Sequence, residues 1–236
     1  MIPYRRVLLK VSGETLMGDL PFGVCPEAVA SVAGKIHDLQ KQNVELAVVI
    51  GGGNIFRGIQ QAASWGMERT PADQVGMLAT LINGTVLTHA LIQAGSDVRM
   101  MTALECPAVA EKFQWERANR YLNKGRILLL VGGTGHPYFT TDTCAALRAC
   151  EIRADILLKA TARVDGIYDK DPRKEQGAKK YSTISFSEIL DKKLGIMDLS
   201  AVTLCMQAKI PIRVFNFYEG PLSDALSDRP YGTLVT

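Results

Sequence analysis

Short unbroken runs of Val, Leu and Ile recur along this chain, each closing on glycine or a small polar residue and each followed by a helix-length stretch. A strand that is apolar on both of its alternating sides needs a sheet covered on both faces. Strand–helix alternation then implies right-handed crossovers and a mainly parallel sheet, so the expected fold class is α/β. Strands are expected at residues 7–9, 44–50, 97–101, 126–131, 155–158, 212–216 and 233–235. Helices are expected at 26–42, 71–94, 111–122, 143–150 and 198–208, with short ones near 188–192 and 222–226. A length of 236 residues fits one domain or two, and the uninterrupted alternation favours a single domain over 1–236.

Composition excludes several classes. The 27 Lys and Arg against 24 Asp and Glu give a net charge of +3, too balanced for a general nucleic-acid or membrane-surface binder. Five cysteines without a CxxC pair argue against a disulfide framework or a zinc site. The N-terminus has only a three-residue apolar run before Lys10, and the longest clean apolar runs, 46–50 and 127–131, are five residues each. Neither resembles a signal peptide or a membrane span, so a soluble, cytoplasmic protein is expected.

In open α/β sheets ligands bind beyond the carboxyl ends of the strands. Three such ends are glycine-rich or small: Lys10-Val11-Ser12-Gly13, Gly51-Gly52-Gly53-Asn54 and Gly132-Gly133-Thr134-Gly135. Exposed backbone N–H groups in turns of this kind can cradle phosphate oxygens. Two familiar phosphate motifs fail. Gly53 and Gly58 have the Walker A spacing but are followed by Ile59-Gln60, and a dinucleotide fingerprint from Gly51 and Gly53 would put its third glycine at Phe56. Lys10, at a strand end, can neutralise charge on a transferring phosphoryl group, or simply close the strand at the surface. Arg57 can fork onto a phosphate. Thr70-Pro71-Ala72-Asp73 reads as a helix start, which gives Asp73 a capping role. Thr140-Thr141-Asp142 carries the same chemistry for the next helix. Gly76 and Gly84 inside a long helix each cost about 1 kcal/mol, which implies close packing on another helix or subunit. The polar segment 165–180 is a candidate lid, and His37, His89 and His136 are too scattered to serve as metal ligands.

These motifs together resemble the bacterial-type uridylate kinases of the amino acid kinase family, from about Arg6 to Val235. The marks are Leu9-Lys10-Val11-Ser12-Gly13-Glu14, Val49 through Gly58, Gly76-Met77-Leu78-Ala79-Thr80, Gly133-Thr134-Gly135 and Phe139-Thr140-Thr141-Asp142. Leu158-Lys159-Ala160-Thr161, Val164 to Tyr168, Met197-Asp198-Leu199 and Ile210 to Asn216 complete them. The resemblance implies a three-layer α/β/α sandwich, transfer of the ATP γ-phosphate to UMP with Mg²⁺, a homohexamer, and UTP as a feedback inhibitor in the UMP site. It implies an ATP side of Lys10, Val11, Ser12, Gly13, Gly53, Arg57, Thr161, Tyr168 and Asp171. The implied UMP side is Gly52, Asp73, Thr134, Gly135, His136, Pro137, Tyr138, Phe139, Thr140 and Thr141. Lys10, Asp142 and Lys159 would carry the catalysis, with no metal ligand from the chain itself. His136 stands where the pattern usually has Asn, and Thr88 and Ile92 replace the usual Arg and His for allosteric GTP.

A carboxylate or carbamate kinase on the same fold is the competing reading, which Asp73 and the Thr134–Asp142 segment disfavour. A non-catalytic nucleotide or anion binder is the third. It is disfavoured by the retention of Lys10, Arg57 and Asp171 together.

Overall fold

A computed structural model describes residues 3–57, 64–195, 197–227 and 231–236. Met1, Ile2, Gly58 and the Ile59-Gln60 pair of the failed phosphate motif lie outside the described residues. Among those described, strands form at β1 (Arg6–Val11), β2 (Glu45–Ile50), β3 (Val98–Thr102), β4 (Glu111–Lys112), β5 (Ile127–Val131), β6 (Ile156–Thr161), β7 (Thr183–Ile184), β8 (Ile212–Asn216) and β9 (Thr233–Val235). They make one nine-stranded sheet in the order β4-β3-β5-β2-β1-β6-β8-β9-β7. Its pairs are parallel except for β8 with β9.

The helices are α1 (Pro26–Gln40), α2 (Arg69–Gln93), α3 (Trp115–Asn123), α4 (Thr141–Glu151), α5 (Phe186–Asp191) and α6 (Leu199–Ala208). Successive strand residues point to opposite faces, and both faces are dry. Val7, Leu9, Val48, Ile50 and Leu129 pack with α1, α2 and the 3₁₀ turn Leu222–Leu226. Leu8, Val49, Leu128, Leu130 and Leu157 pack with α3, α4, α5 and α6. This double coverage is why the strands read as continuous apolar runs, and it yields the expected three-layer α/β/α sandwich.

Two local expectations change. The stretch 111–122 is not one helix. Glu111 pairs with Met101 on the edge strand β3, and the Phe113 N–H donates to the Thr102 carbonyl, so α3 starts only after Gln114. The long helix begins at Arg69 after Glu68, not at a Thr70 cap, which puts Pro71 in the first turn where a missing N–H costs nothing. The short helix expected near 222–226 is present, as a 3₁₀ turn. The Thr140 cap is as expected: its Oγ1 accepts from the Asp142 N–H at 3.1 Å.

Helix α2 lies against α1 and across β3 and β5. A Cβ on Gly84 would stand 2.4 Å from Val131 Cγ1 and 2.9 Å from Met100 Sδ, so its close packing is on the sheet. Nothing crowds Gly76 in the same way. By length and composition α2 alone among the described helices could cross a membrane, yet Ala72, Met77, Ala79, Leu81, Leu87 and Leu91 are buried in this core. Its other face leaves Leu78, Ile82, Val86 and Ile92 exposed.

Candidate active site

The first turn past β1 crosses the first turn past β2. A Cβ on Gly13 would fall 2.4 Å from Asn54 Oδ1 and 2.5 Å from the Gly51 carbonyl oxygen, so only glycine allows the crossing. Asn83 of α2 pins the junction by donating from Nδ2 to the Gly51 carbonyl and to Asn54 Oδ1, each at 2.7 Å. The backbone of this junction is thereby rigid and tied to the helix above it.

Three charged side chains meet beside it. Lys10 on β1 and Lys159 on β6 are register partners across the parallel pair. Asp142, in the first turn of α4, takes both ammonium groups: Lys10 Nζ lies 2.9 Å from Oδ1, and Lys159 Nζ donates to Oδ2. The Oδ1 contact is an ion pair without the alignment of a hydrogen bond. Burial pushes the Asp142 carboxyl up, but the two ammoniums together outweigh it and hold it below the usual carboxylate range. Burial also lowers Lys159 to about 8, against the pull of Asp142, with Lys10 adding repulsion. A carboxylate so placed is a fixed counter-charge, not a proton acceptor.

Asp142 is held in turn from α6. Asp198 Oδ2 accepts from Thr143 Oγ1 at 3.2 Å and from the Oγ1 of Thr140, the residue that caps α4. The helix start carrying Asp142 is therefore fastened at two points.

Two cavities open at the strand ends. The larger, about 550 Å³, is lined by Lys10, Ser12, Glu14, Lys159, Thr161, Arg163, Tyr168 and Asp171 among others. At its rim Asp165 accepts from Tyr168 Oη and from Lys180 Nζ, both at 2.6 Å, which pins the base of the 165–180 segment. The hydrogen bond to Asp165 is the main cause pushing the Tyr168 phenol up to about 12. The smaller, about 320 Å³, is lined by Gly52, Gly53, Phe56, Arg57, Arg69, Asp73, Gly133, Phe139, Thr140 and Thr141 among others. Glu14 stands between them, 3.4 Å from Arg57 Nη2 and 3.3 Å from Arg163 Nη2.

The residues expected from sequence distribute unevenly. Lys10, Ser12, Thr161, Tyr168 and Asp171 line the larger cavity, whereas Val11 and Gly13 lie behind it, buried. Gly53 and Arg57, grouped with the ATP side, line the smaller cavity. Gly52, Asp73, Phe139, Thr140 and Thr141 also line it, but Thr134, Gly135, His136, Pro137 and Tyr138 form the loop beside it. His136 is exposed, and its backbone N–H donates to Thr134 Oγ1. Asp73 does not cap a helix, because its Oδ2 takes Arg69 Nε at 2.9 Å and the Tyr138 N–H at 2.7 Å. Glu14, Arg69, Arg163 and Asp198 were missed. Glu14 and Asp198 stand inside motifs that carry the family resemblance, a signal that gave them no role, whereas Arg69 and Arg163 carried none.

A Lys–Asp–Lys centre that opens into the larger cavity, with a second cavity reaching Thr141 next to Asp142, is the arrangement of a phosphotransferase at the carboxyl ends of parallel strands. The chain belongs to the amino acid kinase family, which it matches over residues 5–216. It is similar to the uridylate kinase of Protochlamydia amoebophila (strain UWE25), 52% identical over 234 residues, covering 98% of this chain and 92% of that protein. It is 50% identical over 232 residues to the uridylate kinase of Magnetococcus marinus (strain ATCC BAA-1437 / JCM 17883 / MC-1), covering 98% and 95% of the two chains. The crystal structure of UMP kinase from Bacillus anthracis superposes with a TM-score of 0.96 at 35% identity, covering 99% of this chain and 96% of that one.

Proposed function

We propose that this protein is a nucleoside monophosphate kinase that moves the γ-phosphoryl group of ATP to UMP, giving UDP and ADP in pyrimidine nucleotide biosynthesis. The observation that carries the reading is the Lys10–Asp142–Lys159 centre set beside two cavities of unequal size. The larger suits the nucleoside triphosphate, with Lys10, Ser12, Thr161, Tyr168 and Asp171 as its walls and Val11 and Gly13 as the supporting turn. The smaller suits UMP, held by Gly52, Asp73, Phe139, Thr140 and Thr141 with the 134–138 loop alongside. Gly53 and Arg57 lie on the acceptor side of the junction, where a guanidinium can reach phosphate.

An acceptor phosphate oxygen attacks the γ-phosphorus, a new P–O bond forms, and the bond to the β,γ-bridging oxygen breaks to release ADP. The attacking group is already an anion at neutral pH, so no general base is needed. Catalysis rests on in-line positioning and on charge stabilisation by the two ammoniums. Asp142 keeps them in place and prevents their mutual repulsion from splaying them.

Mg²⁺ would enter with ATP, its phosphates supplying the ligands. It would neutralise their charge. Asp142 has both oxygens facing lysines, so on this reading it serves as their counter-charge and Lys10 and Lys159 serve as the cations.

Several finer assignments belong to the same proposal. The exposed Leu78, Ile82 and Val86, one helical turn apart on α2, suit contact with a second copy in a homohexamer. UTP would inhibit by occupying the UMP cavity. At the proposed GTP positions, Thr88 contacts Met100 Sδ and Ile92 is apolar and exposed, so neither supplies charge to a triphosphate. One domain spans the chain, and the working compartment is the cytoplasm.

The test is a coupled ADP-release assay with ATP and UMP, CMP, dUMP, AMP, an amino acid or carbamate as acceptor, with and without GTP. Turnover highest on UMP is expected. Turnover on an amino acid or carbamate but not on UMP would overturn the reading.

A further inference from the structure

Among the described residues lining the smaller cavity, Arg69 is the charged one to which the reaction assigns no task. It opens α2, and four residues on its Nε donates to Asp73 Oδ2 at 2.9 Å. The same oxygen accepts the Tyr138 backbone N–H at 2.7 Å, from the loop that follows β5. The Arg69 guanidinium also lies over the Tyr138 ring, 5.1 Å from its centroid. Arg69 thus grips both the acid and the loop that the acid holds.

Each contact restricts the other two. Asp73 is only 16% exposed at its side chain, so its carboxylate is largely out of water and its orientation is set by its donors. Both donors fall on Oδ2. Among the described residues none is assigned to Oδ1, which remains the acceptor Asp73 can offer a ligand in the cavity wall. Tyr138 has φ +71°, a left-handed conformation that a residue with a Cβ adopts at a cost unless something holds it. Its N–H on Asp73 and its ring under Arg69 are two such holds.

We propose that Arg69 is a positioning residue for acceptor recognition. Through Asp73 it presents Oδ1 to the ribose hydroxyls of the nucleoside monophosphate, and through Tyr138 it keeps the 134–139 loop against the cavity. This rests on the reading of the smaller cavity as the UMP site. An arginine suits the task because a guanidinium can donate in plane to a carboxylate while its face lies on an aromatic ring. Lysine retains the charge without that geometry.

The test is steady-state kinetics of Arg69→Met, Arg69→Lys, Tyr138→Leu and Asp73→Asn with UMP and dUMP, varying ATP separately. Arg69→Met is expected to raise KM for UMP about tenfold, leave KM for ATP within about twofold, and shrink the preference for UMP over dUMP. Arg69→Lys should give an intermediate result. Tyr138→Leu keeps the backbone N–H and loses only the ring, so a smaller change in the same direction is expected; it decides the matter if Arg69→Met does not fold. A KM for UMP that stays put in Arg69→Met but rises in Asp73→Asn overturns the role of Arg69 alone. A KM for UMP unchanged in Asp73→Asn overturns the acceptor-site reading itself. Equal losses on UMP and dUMP in Arg69→Met would make Arg69 a direct phosphate contact and overturn the positioning role.

Discussion

Lys10 stands directly opposite Lys159 on the neighbouring parallel strand, and a single carboxylate, that of Asp142, compensates both. Like charges at adjacent register positions repel. Asp142 converts that repulsion into a compact dication-plus-anion with a net positive charge, which in the proposed reaction would face the transferring phosphoryl group.

Replacing Lys10 by Ala leaves Asp142 neutralised by Lys159 alone and removes the cation facing the larger cavity. Turnover in the ADP-release assay is expected to fall about 10²–10³-fold, the usual cost of one preorganised charge stabiliser. A folded Lys10→Ala protein with unchanged turnover would remove the residue from the mechanism.

The low Lys159 pKa, about 8 against an ordinary 10.5, sets a pH dependence. A bound phosphate favours the charged ammonium and raises its pKa. Nucleotide affinity is therefore flat below pH 8 and falls as the pH climbs above it, by at most tenfold per unit. Binding above pH 8 should take up a proton, measurable by titration calorimetry in buffers of different ionisation enthalpy. Lys159→Arg, which stays charged, should abolish the uptake. For folding the sign is the converse. The unfolded chain binds the proton more tightly, so this group's penalty is full at pH 7 and is relieved between about pH 8 and 10.5.

Gly84→Ala places a methyl group inside the contact radius of Val131 and Met100. Overpacking of this kind costs about 1–3 kcal/mol. At this chain length Tm should drop about 2–4 °C for each kcal/mol. Gly76→Ala meets open space and should stabilise α2 slightly or leave Tm unchanged.

Ile82→Glu puts a charge in the middle of the exposed stripe on α2 without touching the core. If that stripe meets a second copy, sedimentation velocity should show a smaller species at equal concentration. An assembly of unaltered size would place the contact elsewhere.

The architecture was legible because burial on both faces leaves a local mark, an apolar run without alternation. Where sequence reading failed, the deciding contact was remote or at an edge. Glu111 and Lys112 look helical beside Trp115–Asn123, and only the open edge of β3 makes them a strand. The strand-end places of Lys10 and the glycine turns were legible because strand-end position is a local property. The partition of the site was less legible. Glu14 meets Arg163 across 149 residues and Asp73 meets Tyr138 across 65, separations at which no local pattern operates. Asp73 looked like a cap for that reason: its true partners are an arginine one turn earlier and the loop that follows β5, three strands further along the chain.

Glu14, set between two arginines that belong to different cavities, would give anion binding in the proposed reaction the character of ion exchange. An anion arriving at Arg57 or Arg163 meets a guanidinium already facing a carboxylate, so its gain is the difference between two partners and not the whole of one. Singly charged competitors such as chloride or a metabolite carboxylate gain little from that trade. A phosphate ester with two charges and three acceptor oxygens gains more, so the filter favours ligands by charge density before their bases are read.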